Sequence, residues 1–166
     1  MQYRINSIET DSLDEDALKN KYLTFYTDNQ LFGIPISDVV QIVGMQEITA
    51  VPEFPSYAKG VINLRGIIIP IIDVRLRLKK EEISYTERTC IIVTNIKGSY
   101  LGFIVDYVNE VTNIQYENIS NPPNVGSDYV NTYITGIAKL NSKIVLLMDL
   151  KKVLNDREIE LFTTIE

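Results

Sequence analysis

From Tyr22 to Leu154 the chain runs twice through one series of short apolar segments and turn residues, in the same order. Gly33, Val39 and Ile42 recur 69 positions later as Gly102, Val108 and Val111, while Gly60 and Asp73 recur 76 positions later as Gly136 and Asp149. The increase from 69 to 76 implies a longer middle loop in the second copy. A recurring order of landmarks is the mark of a duplicated supersecondary unit. Each copy offers about five short β-prone runs bounded by turn residues, which is an all-β pattern. Five strands suffice for a small barrel that removes most of its own edges, and two such barrels with apolar sides bury those sides against each other.

In the first copy, Tyr22 to Tyr26 is a β-prone run, Asp28-Asn29 a turn, and Leu31 to Ile36 a second strand. Ser37 is placed to N-cap a short helix carrying Val39, Ile42 and Val43 at i, i+3, i+4 spacing. After Pro52 and Pro55 comes a hairpin, with Gly60 to Leu64 and Ile67 to Ile72 as strands and Arg65-Gly66 as tip. Asp73 then caps a helical turn. The second copy repeats this: strands from Thr89 to Ile96 and Tyr100 to Val105, Pro122-Pro123, and a hairpin from Gly136 to Met148 with tip Asn141-Ser142. Asp149 again precedes a helix, here predicted to run on through Leu161. The expected layout is a mobile tail over 1–20 and one domain over 21–166. Its modules span about 21–80 and 88–155, with a C-terminal helix over about 149–162.

Composition narrows the function. There is no histidine, and Cys90 is the single cysteine, so Ser-His-Asp, Cys-His, His-metal and two-Cys zinc chemistries are excluded. No catalytic residue, metal or cofactor is expected. Cys90 stands in the apolar run Cys90-Ile91-Ile92-Val93 and reads as a small buried hydrophobe. One cysteine forbids an internal disulfide, which fits a cytoplasmic setting. A net charge of −6 without a Lys/Arg block argues against nucleic acid, whose phosphates need a basic face. The acidic run Asp14-Glu15-Asp16 reads as solvated tail. The polar opening residues do not form a signal peptide, and the longest apolar run is far short of the ~20 residues of a membrane span.

The segments Gly60-Val61-Ile62-Asn63-Leu64-Arg65-Gly66 and Ile69-Pro70-Ile71-Ile72-Asp73-Val74-Arg75 resemble the signature hairpin of the CheW family, which includes the regulatory domain of the kinase CheA. Gly102, Val105-Asp106, Val108, Val111, Pro122-Pro123 and Gly136 to Asp149 extend the resemblance through the second copy. It implies two intertwined five-stranded SH3-like β-barrels with short helices, a C-terminal helix and an apolar seam between the barrels. It also implies a non-enzymatic adaptor that bridges CheA to the cytoplasmic tips of transmembrane chemoreceptors, recruited to membrane-associated receptor arrays without inserting. One position departs from the family: Gln41 stands where Glu is usual, so a pairing with Arg65 would be a neutral hydrogen bond rather than a charge-assisted one.

The resemblance points to Val39, Gln41, Gly60, Arg65, Val108 and Val125 as partner-binding residues. Each also has a plainer reading. Arg65 suits a solvated turn as well as an interface anchor. Gly60, like Gly136, suits close backbone approach. Val39 and its twin Val108 fit a core stripe as well as a receptor groove. Val125 is a lone apolar residue in a polar loop. Asp73 and Asp149 read as helix caps. Three other identities stay open: a CheW-like regulatory module of a larger protein, a small-molecule-binding β-barrel, and a carboxylate hydrolase using Asp73 with Glu87, for which no motif speaks.

Overall fold

The computed structural model describes residues 2–4, 18–122 and 133–163. In chain order its strands are β1 (Gln2–Arg4), β2 (Lys21–Thr27), β3 (Gln30–Pro35), β4 (Val39–Gly44), β5 (Ala58–Leu64) and β6 (Ile67–Asp73). The second half adds β7 (Cys90–Ile96), β8 (Ser99–Val105), β9 (Tyr107–Asn113), β10 (Ile119–Ser120), β11 (Ile134–Leu140) and β12 (Lys143–Met148). Helices are short: α1 (Val74–Arg77), α2 (Leu150–Val153) and α3 (Asp156–Thr163).

Two six-stranded sheets result, in the orders β1-β4-β7-β8-β6-β5 and β10-β11-β12-β3-β2-β9. Neither half of the chain builds a sheet alone. The first sheet sets β7 and β8 of the second half between β4 and β6 of the first. The second sheet sets β2 and β3 beside β9 and β12. Replacing each strand by its repeat partner converts β4-β7-β8-β6-β5 into β9-β2-β3-β12-β11, which is the other sheet's order. Irregularities repeat as well. The ladder shifts between Val39 and Gln41 and again opposite Val108 and Glu110; it also shifts between Ala58 and Gly60 and between Ile134 and Gly136. The parallel joins correspond, with Ile71 facing Gly102 and Leu147 facing Gly33. β1 and β10 lie outside this symmetric set of five strands per sheet. The segment expected as tail thus contributes β1, while Leu18 packs on the core and the Asn20 carbonyl accepts from Ile114 at 2.8 Å.

The apolar runs lack the alternation of a half-exposed sheet because these strands are buried on both faces. Along β7, Cys90, Ile92 and Ile96 face one cluster, whereas Ile91 and Val93 face another. One cluster fills the inside of the first sheet, with Ile62, Ile69, Ile71 and Ile104. A second fills the other, with Leu31, Val145 and Leu147. The largest joins the two sheets through Phe25, Phe32, Ile72, Phe103 and Met148.

Two helical expectations are corrected. Residues 39–44 form strand β4, preceded only by a single 3-10 turn, Ile36–Asp38, that has no side-chain cap. Val39, Ile42 and Val43 match a helical stripe, but the segment Val39-Val40-Gln41-Ile42-Val43 is mostly β-branched, and pairing with β7 buries both of its faces. The C-terminal helix is two helices rather than one. Leu154 is extended (φ −114°, ψ 142°), and Asn155 restarts the chain. Its Oδ1 accepts from the Glu158 amide at 2.8 Å, while Glu158 Oε1 accepts from the Asn155 amide at 2.9 Å. This reciprocal cap defines a new N-terminus.

Candidate interaction surface

The β5–β6 tip is closed by the pair Leu64 and Ile67, with Arg65 (φ 55°) and Gly66 (φ 88°) between them. Two successive positive φ values are the I′ pattern, whose twist matches that of the strands it joins. Asn63 fixes the turn by accepting the Gly66 amide on Oδ1 at 2.8 Å. Glycine takes such angles freely, whereas arginine is strained there, so the Arg65 side chain is held at a conformational cost. It is exposed and has no hydrogen bond or ion pair among the described residues. Behind it Ile67 and Ile68 are 47% and 41% exposed. The tip is therefore a cation over an apolar shoulder, both suited to anchoring a partner. The corresponding tip, Asn141 (φ 52°) and Ser142 (φ 84°), lacks the cation but keeps the shoulder, with Ile144 53% exposed at the position that repeats Ile68.

The other candidate residues lie elsewhere. Gly60 is buried at the base of β5 with φ 140°, and a Cβ there would stand 2.1 Å from the Thr49 carbonyl oxygen. Val39 is 3% exposed within the cluster between the sheets. Its twin Val108 is half-buried against the same cluster. Gln41 is half-buried on β4, opposite Val93 on one side and Arg4 on the other. Among the described residues no hydrogen bond joins Gln41 to Arg65; the turn itself positions the tip. Val125 lies outside the described residues. The fold thus gathers Val39 and Val108 at the seam and leaves Arg65 at a distal corner with the isoleucines.

Both aspartates expected as caps do cap. Asp73 accepts the Leu76 amide at 3.4 Å and the Tyr85 hydroxyl at 2.9 Å, and Asp149 accepts the Lys151 amide at 2.9 Å. Burial raises the Asp73 carboxyl above its ordinary 3.8 despite these donors. Both carboxylate oxygens of Asp73 thus serve as acceptors, one for the cap and one for Tyr85. Burial also pushes the Cys90 thiol up to about 11, so it stays protonated and unreactive at neutral pH.

Sequence reasoning missed a charged junction between the sheets. Arg75, the last residue of the signature hairpin segment, reaches Asp106 at the β8–β9 corner through Nε and Nη2, each at 2.9 Å. The same guanidinium lies 3.6 Å from Asp28 in the β2–β3 turn, and Asp106 Oδ2 accepts the Asp28 amide at 2.9 Å. Bidentate pairing of this kind fixes orientation as well as charge. Both residues stand within the segments that carry the family resemblance, but their spacing along the chain gave no sign of contact.

Comparison with known proteins agrees with this architecture. The family model described as CheW-like domain matches residues 21–158. The chain is 34% identical to the chemotaxis protein CheW of Klebsiella aerogenes over 146 residues, covering 88% of each chain. It is 33% identical to the probable chemotaxis protein CheW of Rhizobium etli, over 83% of this chain and 89% of that one. The crystal structure of the scaffolding protein TtCheW from Thermoanaerobacter tengcongensis superposes with a TM-score of 0.74 at 36% identity, over 79% of this chain and 89% of that chain. The two sheets are accordingly the two intertwined SH3-like barrels of that fold, and the chain belongs to the CheW-like family.

Proposed function

We propose that this chain is a non-catalytic chemotaxis adaptor that couples the histidine kinase CheA to the cytoplasmic tips of chemoreceptors. The observation that carries the reading is the match of residues 21–158 to the CheW-like domain, alongside relatives named as chemotaxis proteins over most of their own length. A scaffold works through docking surfaces, and the solved relative is named a scaffolding protein. Arg65, with Ile67 and Ile68, is the anchor for one partner. Val108 and the backbone around Gly60 and Gln41 serve the other, with Val39 acting from beneath by holding β4 in place. Val125 belongs to the same set of contacts. The site of action is the cytoplasmic face of receptor arrays.

The test pairs two substitutions. Arg65→Ala lies on an exposed turn and should change stability by no more than about 0.5 kcal/mol. Its loss should weaken binding to the kinase regulatory domain or to a receptor fragment by about 2 kcal/mol, roughly thirtyfold in Kd. Ile71→Ala, at 0% exposure inside the first barrel, should instead cost about 2–5 kcal/mol of stability. Calorimetric titration and urea unfolding read the two effects. Unchanged affinities in Arg65→Ala would reduce the tip to an ordinary turn, and kinase output indifferent to adding the protein would end the adaptor reading.

A further inference from the structure

The duplicated fold treats two equivalent edges differently. β4 and β9 are repeat partners, each the last strand of its symmetric five-stranded set. The outer edge of β4 is covered by β1, with Gln2 opposite Val43, Tyr3 opposite Ile42 and Arg4 opposite Gln41. Among the described residues nothing pairs with the outer edge of β9, which is seven residues long. Folded proteins blunt such edges, because a row of unpaired N–H and C=O groups is a template for another strand. Here the edge carries an exposed apolar side chain, Val111 at 40% exposure. Its inner side is firmly tied: the buried Thr24 hydroxyl donates to the Glu110 carbonyl at 2.8 Å and accepts the Glu110 amide at 3.2 Å. The edge is therefore held on its inner side and open on its outer one.

We infer that the outer edge of β9 receives the leading segment, Gln2–Arg4, of a second copy of this chain. The register follows from the repeat. Shifting Val43, Ile42 and Gln41 by 69 gives Thr112, Val111 and Glu110. A segment docked there as β1 docks on β4 sets Tyr3 opposite Val111 and Arg4 opposite Glu110. Aromatic with β-branched and basic with acidic are both favourable cross-strand pairs. In register terms, the acidic Glu110 stands where β4 has the neutral Gln41 opposite Arg4. Two copies that exchange the segment reciprocally form a closed dimer in which each β4 gives up its own β1, so three residue pairs are traded rather than gained and the dimer is weak and needs concentrated protein.

The experiment titrates the isotope-labelled full chain with a synthetic peptide of residues 1–8 and follows backbone amides by NMR. Expected are saturable shifts along Tyr107–Asn113. Glu110→Lys, a change at an exposed position, weakens the peptide at least about threefold, and a peptide carrying Arg4→Glu recovers the loss on that variant. Val111→Ser provides a second reading on the same edge and also weakens the peptide. Sedimentation of the full chain shows self-association that disappears when residues 1–4 are removed. Shifts confined to β4, shifts on β9 indifferent to both charge reversals, or the absence of shifts would each overturn the inference.

Discussion

Gly60 and Gly136 occupy equivalent places in the repeat, yet substituting alanine should affect them very differently. At Gly60 the backbone has φ 140°, a region that L residues avoid, which costs about 1–3 kcal/mol. The added Cβ would also meet the Thr49 carbonyl oxygen at 2.1 Å and the Ala50 Cα at 2.9 Å. Neither atom can rotate away. Thr49 and Val61 exchange two backbone hydrogen bonds of 2.9 Å, so relieving the clash means opening that bridge, at about 1 kcal/mol per bond. The sum is about 3–5 kcal/mol. At Gly136 the backbone is unstrained and the nearest atom is Ile119 Cγ2 at 2.7 Å, a methyl on the two-residue strand β10, which pairs with β11 through only two residues and can shift with less loss than a clash with a paired carbonyl. Crowding of that kind costs about 1–2 kcal/mol.

Urea unfolding of Gly60→Ala and Gly136→Ala measures the difference, expected as a midpoint shift at least twice as large for Gly60 with m unchanged. Equal shifts, or a cost below about 1.5 kcal/mol at Gly60, would refute the account of Gly60 as a site of forced backbone approach. Affinity measured on the folded fraction then tells whether Gly60 also touches a partner.

Asp73→Asn should flatten part of the pH dependence of stability. Because burial raises the folded carboxyl above its ordinary 3.8, ionising it costs stability as pH rises through the folded value, and that cost is absent below about 3.8. The variant, whose amide oxygen can still cap α1, should gain on the parent from pH 4 to pH 7 in urea titrations; a relative loss over that range would contradict the burial argument. Phe162→Ala should loosen α3 before the barrels. Phe162 sits edge-on to Phe54 at 5.2 Å and near Tyr57 at 6.3 Å, while Arg77 bonds the Val153 carbonyl at 2.7 Å regardless. Amide exchange should rise at least tenfold over α3 and much less across β7 and β8; an equal rise in both would mean that α3 and the barrels open as one unit.

The repeat, the hairpins, their tips and both aspartate caps were readable because each depends on residues close in sequence. What the sequence concealed depends on pairing. Val39, Ile42 and Val43 satisfy a helical spacing and a strand equally, and only the neighbouring β7 decides between them. Ile67 to Ile72 reads as one buried run, yet Ile67 and Ile68 project beyond the barrel near the tip while Ile69 to Ile72 are inside. Asn155 and Glu158 did carry a legible signal, the N-x-x-E capping pattern, which breaks the helix that continuous apolar spacing had joined. Arg75 and Asp106 meet across 31 positions, and no local rule reports such a meeting.

The exchange of strands between halves has a consequence for folding. Remove β7 and β8, and β4 is left apart from the β6–β5 hairpin with no strand between them. Remove β2 and β3, and β9 is parted from the β11–β12 hairpin in the same way. The cluster joining the sheets takes Phe25 and Phe32 from one half and Phe103 and Phe162 from the other, so neither half retains a core that it can close. A two-stranded hairpin is marginal on its own in water. Residues 81–88, by contrast, are exposed throughout and join the halves without entering either sheet. A single cut there should therefore leave an associated, folded pair of fragments. Fragments 1–83 and 84–166 should each lack cooperative unfolding alone and recover it on mixing, with the midpoint dependent on concentration. Circular dichroism during urea titration measures this. A cooperative transition in either isolated fragment would mean that the repeat is a folding unit in itself, and that the exchange of strands is not what completes the sheets.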